Sequence, residues 1–275
     1  MERITTGGLR MPKLGLGTWR LSGAAGTDAV LRALAMGYRH IDTAEMYGNE
    51  AEVGAALAQS GVPRDEIHVT TKVWPDHLEP AAMRRAAEAS LEKLGLDAVD
   101  LYLVHWPAAG MQVARVMESL MRLRQDGLVK QIGVSNFTVA LMRECVEAAG
   151  APIVCNQVEY HVTLGQARVL EYARAHGIAV TAYCPLGRGD LGGNTVLAEI
   201  ARRHGATPAQ VALKWLLDQD GVAAIPKASR AENQRANWEA QTLALDEADR
   251  DAIAALPKGN RLVNPANAPR WDDVG

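Results

Sequence analysis

The stretch Ala81–Trp106, "AAMRRAAEASLEKLGLDAVDLYLVHW", contains one complete structural unit of the chain. Met83, Ala86, Ala87, Leu91 and Leu94 recur at three- and four-residue steps, so its first half predicts an amphipathic helix. Gly95 stops that helix, because a glycine takes the left-handed closing conformation without a Cβ clash. Within a few residues the pattern becomes "VDLYLVHW", a short apolar run of strand-forming residues with His105 next to its end.

Outward from this unit, the same punctuation repeats. Gly37 precedes "YRHIDTA", Gly61 "IHVTTKVW", Gly127 "LVKQIGVSN", Gly150 "IVCNQVEYH", Gly177 "IAVTAYCP" and Gly221 "VAAIPKAS". With "LGLGTW" at Leu14–Trp19, the chain has eight candidate strands separated by helical patterns. Strands that are nearly continuously apolar imply a parallel sheet covered by helices, and eight βα units predict a closed (β/α)8 TIM barrel. At 275 residues and 48% hydrophobic the chain reads as one domain, 1–275.

A doubly wound sheet is the rival, since "GRGDLG" at 187–192 fits G-x-G-x-x-G after a strand. That fingerprint belongs in the first βαβ unit, with an acidic residue about twenty positions on at the end of the next strand. Here the following region, "HGATPAQVALKW", reads as a second helix, which leaves a glycine loop after the seventh strand.

Lys+Arg 29 against Asp+Glu 32 gives a net charge of -3 with no basic run, which argues against nucleic acid as a partner. Cys145, Cys155 and Cys184 are odd in number, lack C-x-x-C spacing and sit in apolar segments, as expected of a reduced, cytoplasmic protein. No apolar stretch has the length of a signal-peptide core near the start or of a membrane span elsewhere, so membrane insertion and secretion are not expected.

In a barrel of this kind the chemistry sits at the carboxyl ends of the strands. Strand two ends toward Asp42, strand three at Lys72 and strand four at His105, while the turn after strand two, "HIDTAEMYGNE" (His40–Glu50), supplies Tyr47. Singly, Asp42 reads as a turn cap, Lys72 as a rim cation and His105 as a core histidine. Together they read as a site, because a lysine drawn toward the barrel axis calls for a carboxylate partner such as Asp42. A phenol of pKa about 10 is a poor acid at neutral pH. A cation about 4 Å away, at an effective dielectric of about 20, contributes on the order of 4 kcal/mol, so Lys72 is expected to make Tyr47 a usable acid. A neutral His105 would orient a carbonyl oxygen toward it. With no metal-ligand or Ser-His-Asp pattern in view, a hydride from a nicotinamide is the expected nucleophile.

The motifs "DTAEMYGNE", "TKVW", "LYLVHWP", "IGVSNF", "NQVEYH", "AYCPLG" and "IPKAS" follow in this order along nearly the whole chain. In them the sequence resembles the aldo-keto reductase family, and within it the bacterial 2,5-diketo-D-gluconate and small-aldehyde (methylglyoxal-type) reductases. The resemblance implies the same barrel with an N-terminal β-hairpin and a short C-terminal tail. It implies a catalytic tetrad of Asp42, Tyr47, Lys72 and His105, with Tyr47 as general acid. Asp42, Ser135, Asn136 and Gln157 would border the nicotinamide, and Tyr183 would stack on its ring beside Cys184. Gly17, Thr18 and Trp19 would face the pyrophosphate from one side and Leu186, Gly187, Arg188 and Asp190 from the other.

Lys227, Ala228, Ser229 and Arg230 would take an adenosine 2′-phosphate, and Asn237 the adenine. Ser229 and Glu232 also have capping-box spacing, so a helix start with free N–H groups is expected there. The family commonly has Ser or Thr where Ala228 stands and often arginine where Asn233 stands. The expected cofactor is therefore NADPH/NADP, with NADH as the alternative. Trp19, Tyr47, Trp74, His105 and Trp106 would surround the substrate, a small or polar carbonyl compound, with Asn267 or Trp271 of the tail reaching the same pocket. A monomer or weak oligomer is expected. Two other functions fit the motifs: a cofactor-binding regulatory module of the same fold with little turnover, and a Schiff-base enzyme using Lys72.

Overall fold

The computed structural model describes residues 2–189, 191 and 193–272. It opens with an antiparallel hairpin, β1 (Arg3–Thr6) and β2 (Leu9–Pro12), joined by Gly7 and Gly8. Both glycines have positive φ, +52° and +82°, as a two-residue turn matched to strand twist requires.

Eight parallel strands follow in chain order: β3 (Leu16–Gly17), β4 (His40–Asp42), β5 (His68–Val73), β6 (Val99–Val104), β7 (Val129–Ser135), β8 (Cys155–Glu159), β9 (Ala179–Tyr183) and β10 (Val222–Ala224). Each predicted run contains one of them. The sheet closes on itself, because Ala224 N donates to Lys13 O (2.7 Å) and Gly15 N to Ala224 O (2.9 Å). The first and last runs are shorter than predicted, Leu16–Gly17 within Leu14–Trp19 and Val222–Ala224 within 222–229. All seven marker glycines, from Gly37 to Gly221, adopt positive φ.

Among the described residues, eight main helices lie between the strands, α1 (Gly23–Met36), α2 (Glu50–Gln59), α3 (Pro80–Leu94), α4 (Val113–Gln125), α5 (Val139–Arg143), α6 (Ala167–Ala175), α7 (Thr195–His204) and α8 (Pro208–Leu217), and two follow β10, α9 (Ala231–Glu239) and α10 (Glu247–Ala254). In α3 the predicted stripe of Met83, Ala86, Ala87, Leu91 and Leu94 is buried. Thr207 and Gln210 form a reciprocal capping box at α8, as befits the second helix read in that region. No helix among the described residues is long and apolar enough to cross a membrane.

Strand alternation divides the core. Tyr102 and Val104 of β6 join the layer beneath the helices, whereas Leu101 and Leu103 join Cys155, Ala179 and Ala223 inside the barrel, covered by Ile4, Leu9 and Met11 of the hairpin. This inner space is tight. A Cβ at Gly133 would meet Cys155 O at 2.6 Å and Leu103 Cδ2 at 2.7 Å. Continued to the strand ends, the inward parity carries Asp42, Lys72, His105, Ser135, Gln157, Glu159 and Tyr183 toward the mouth.

Candidate active site

Lys72 and Asp42 lie on neighbouring strands and are almost wholly shielded from solvent. Lys72 Nζ donates to Asp42 Oδ1 (2.6 Å) and Thr43 O (2.8 Å) and lies 3.4 Å from Tyr47 Oη. Gln157 Nε2 donates to the other carboxylate oxygen, Asp42 Oδ2, at 2.7 Å. Both oxygens of Asp42 are thus held, and the lysine neither reaches the rim nor lacks a counter-charge.

Tyr47 is placed by a tight turn, Glu45–Tyr47, closed by Gly48 in the left-handed conformation. Asn49 ties this turn down. Its Oδ1 accepts from Thr43 Oγ1 (3.1 Å), and its Nδ2 donates to Thr18 O (2.7 Å) and Leu21 O (2.6 Å). Glu45 accepts from Trp74 N and lies beside His77, linking the turn to the loop after β5. The Tyr47 ring meets His105 edge-on (centroids 5.6 Å apart, 75°) and Trp19 (5.0 Å, 65°), and Trp74 meets His105 (5.2 Å, 87°).

Burial and charge compete at each of these groups. Burial tends to discharge Lys72, but Asp42 and Tyr47 outweigh it and its pKa is raised, so the side chain stays an ammonium. Burial and then Lys72 push His105 well below the ordinary histidine range, leaving a neutral imidazole. Its Nδ1 is buried with no hydrogen-bond partner among the described residues, unlike that of a satisfied core histidine. At Tyr47 the expectation of a lowered pKa is corrected. Burial raises it, Lys72 pulls it down, and the net direction is up. Coulomb attraction at 3.4 Å does not outweigh the loss of water around a would-be phenolate.

Beyond the tetrad, a buried chain of polar groups follows the strand ends. Ser135 Oγ donates to Gln157 O (2.8 Å), Asn136 Nδ2 to His105 O (3.0 Å) and Ser135 Oγ (3.1 Å), and Tyr183 Oη to Asn136 Oδ1 (2.8 Å). Just beyond these groups, Thr138 caps α5, its side chain accepting from Leu141 N. Cys184 and Arg188 have positive φ (+48° and +56°) in the loop after β9, where Leu186, Gly187 and Arg188 were expected to meet a pyrophosphate; Asp190 lies outside the described residues. Directly after β3, Thr18 Oγ1 is buried without a partner among the described residues, and a Cβ at Gly17 would meet Ile225 O at 2.7 Å.

The capping box expected at Ser229 is not formed. The helix α9 starts one residue later, with Arg230 as its N-cap, because Arg32 Nη2 binds Ser229 O (2.7 Å) and Glu232 pairs instead with Arg230 (3.3 Å). Lys227, Ser229 and Arg230 are exposed around that helix start, Ala228 is buried, and Asn237 is buried one to two turns along. An orphan hydroxyl at Thr18, uncapped N–H groups at α9 and exposed cations at Lys227 and Arg230 suit a dinucleotide phosphate.

The aromatic residues divide. Trp19 is 43% exposed and Trp74 half-buried, both against the tetrad, whereas Trp106 is buried and packs on Trp271 of the tail (6.0 Å). Asn267 is exposed, so Trp271 is the tail residue that reaches this wall. Two groups escaped the sequence reading: Asn49, and Glu159, a fully buried carboxylate at the end of β8. Glu159 carried the same signal as Asp42 and Lys72, an ionisable residue closing an apolar strand.

The aldo/keto reductase family profile matches residues 13–258. The chain is 43% identical over 268 residues to methylglyoxal reductase DkgB of Escherichia coli O157:H7, spanning 96% of this chain and all of the relative. It is 41% identical over 245 residues to a 9,11-endoperoxide prostaglandin H2 reductase of Trypanosoma cruzi (88% and 86% of the two chains). A solved structure provisionally assigned as 2,5-diketo-D-gluconic acid reductase B superposes with a TM-score of 0.96 at 41% identity, covering 99% of this chain and 98% of that one. The chain belongs to the aldo-keto reductase family and is an oxidoreductase of small carbonyl compounds that works with a nicotinamide cofactor.

Proposed function

We propose that this protein uses NADPH to reduce small aldehydes, ketoaldehydes or keto-sugar acids to alcohols, with Tyr47 as the proton donor. The observation that carries this reading is the placement of Lys72 Nζ between Asp42 Oδ1 (2.6 Å) and Tyr47 Oη (3.4 Å), with His105 against the tyrosine ring. A nicotinamide bound in the mouth supplies the hydride.

The raised pKa of Tyr47 keeps its proton in place at neutral pH. The phenol releases it only to a stronger base, the alkoxide that develops on a carbonyl oxygen. The charge left on Tyr47 then falls beside the Lys72 ammonium, which Asp42 and Thr43 already hold in position. Neutral His105 donates a hydrogen bond to the same oxygen and orients it. Trp19 packs against Tyr47 and Trp74 against His105, which holds the two rings in place. A cationic Lys72 is a poor amine nucleophile, which weighs against a Schiff base.

Ser135, Asn136 and Gln157 would hold the carboxamide and Tyr183 the ring face. Gly17, Thr18 and Leu186–Arg188 would border the pyrophosphate, and Lys227, Ser229 and Arg230 the 2′-phosphate that favours NADPH. The named relatives act on methylglyoxal and, by its provisional assignment, on a diketogluconic acid. The test is cofactor oxidation with NADPH and NADH in parallel against methylglyoxal, benzaldehyde and 2,5-diketo-D-gluconate. Multiple turnovers, faster with NADPH, are expected. Tight NADPH binding with no turnover on any carbonyl would favour the regulatory module instead.

A further inference from the structure

The turn that carries Tyr47 runs straight into α2, and the start of that helix is not held by its own cap. Asn49, the N-cap, turns its side chain to Thr18, Leu21 and Thr43 and makes no bond to the helix it opens. The next residue, Glu50, is a carboxyl group with 1% exposure at the first position of α2. Its Oε1 accepts from Thr71 Oγ1 at 2.6 Å. Thr71 is the chain neighbour of Lys72, and strand alternation turns the two to opposite faces of β5, Lys72 toward the mouth and Thr71 under the helices. One side-chain hydrogen bond therefore joins the residue three places after Tyr47 to the residue one place before Lys72.

Burial makes this an unfavourable place for a carboxyl group, and its pKa is raised against the pull of the Thr71 hydroxyl. Lys93 Nζ stands 3.8 Å from Oε2 on a half-exposed side chain. Oε2 itself is buried with no hydrogen-bond partner among the described residues. Ser90 of α3 and Tyr102, the register partner of Thr71 on β6, stand near the same carboxyl, and their hydroxyls are also buried without partners among the described residues. Packing alone would favour an apolar side chain here, since α2 and α3 already touch closely: a Cβ at Gly54 would meet Leu94 O at 2.7 Å. What Glu50 supplies, and an apolar residue does not, is a directional tie from α2 to β5.

The distance governed by this tie is the 3.4 Å between Lys72 Nζ and Tyr47 Oη. Lys72 is fixed by Asp42 and Thr43, whereas Tyr47 sits on a three-residue turn that leads into α2. A charge left on the phenol is stabilised less as that distance grows, and a displacement of about 1 Å at a reacting group can cost on the order of 100-fold in rate. We propose that Glu50, through Thr71, is a positioning residue that holds the Tyr47 turn in register with Lys72 and thereby supports proton transfer without touching substrate or cofactor. This proposal rests on the reductase reading above.

The test compares Thr71→Val, Glu50→Met, their double variant and Glu50→Gln, with kcat expressed per NADPH-binding site so that loss of folded protein does not count. Thr71→Val and Glu50→Met should each lower kcat about tenfold, with KM and the NADPH dissociation constant within about threefold of wild type. The double variant should be no slower than the slower single, because the two residues act as one unit. Glu50→Gln retains an oxygen acceptor for Thr71 and should keep kcat within about threefold of wild type. If Glu50→Met does not fold, Thr71→Val, which only exchanges a hydroxyl for a methyl, decides alone. Losses that multiply in the double variant, losses carried by KM, or kcat per site retained in Thr71→Val would overturn the proposal while leaving the reductase reading intact. If the wild type reduces no carbonyl, the reductase reading fails on its own, and the placement of Tyr47 is then read directly. Its Cζ resonance, assigned with Tyr47→Phe in tyrosine-labelled protein, should move in Thr71→Val and hold its position in Glu50→Gln; an unmoved resonance in Thr71→Val refutes the tie.

Discussion

On the same two strands, two pairs of buried ionisable groups meet different fates. At the floor, His40 of β4 and His68 of β5 face each other edge-on at 4.9 Å beneath the hairpin, and burial drives His40 to a pKa of about 4 and His68 well below its ordinary value. At the mouth, two residues beyond His40 and four beyond His68, Asp42 and Lys72 meet at 2.6 Å, and the lysine remains charged. Burial alone neutralises a group; burial with a fixed counter-charge preserves it. The floor therefore serves packing, whereas the mouth keeps a permanent ammonium beside a tyrosine.

The largest effect is expected from breaking the mouth pair. Lys72→Met leaves the Asp42 carboxylate buried without its cation, a loss of about 3–5 kcal/mol of stability by the usual cost of an orphaned charge. Denaturant titration checks this, and turnover should fall to background in whatever fraction remains folded.

The floor pair should show itself as a pH dependence. The unfolded chain protonates His40 below about 6.5, whereas the folded chain resists until about 4. Above the higher value neither state binds the proton and there is no penalty. As pH falls between the two, the unfolded state binds more protons and stability declines, by on the order of 3 kcal/mol for this histidine. His40→Gln should flatten that part of the slope in denaturation curves collected from pH 7.5 to 4.5.

A smaller effect is expected at Glu159, whose oxygens accept from Leu262 N (2.7 Å) and Val263 N (2.8 Å). Gln at this position replaces one acceptor by an N–H group facing the amide of Leu262 or Val263, costing roughly 1–3 kcal/mol. It should loosen the tail, raising KM a few-fold with kcat nearly unchanged; kinetics and hydrogen exchange at Leu262 and Val263 measure the two consequences.

The eight strands were readable because the signal repeats locally: a helical stripe, a glycine of positive φ and an apolar run, as at Leu91–Val104. Asp42, Lys72 and His105 were readable because each closes such a run. Other features depended on contacts distant in sequence. Ser229 fails to cap α9 because Arg32 holds its carbonyl from 197 positions away. Glu159 meets the amides of Leu262 and Val263, 103 and 104 positions on. The direction of the Tyr47 shift needed burial and charge weighed together, and only the charge was visible in the motif.

The most direct test of the central claim is to measure kcat and NADPH affinity on the same preparation of Tyr47→Phe. Removal of the phenolic proton should lower kcat by roughly 10²–10⁴-fold, the usual contribution of a positioned general acid, while the dissociation constant for NADPH stays within about threefold of wild type. Near-normal turnover in this variant would contradict the assignment of Tyr47 as the proton donor.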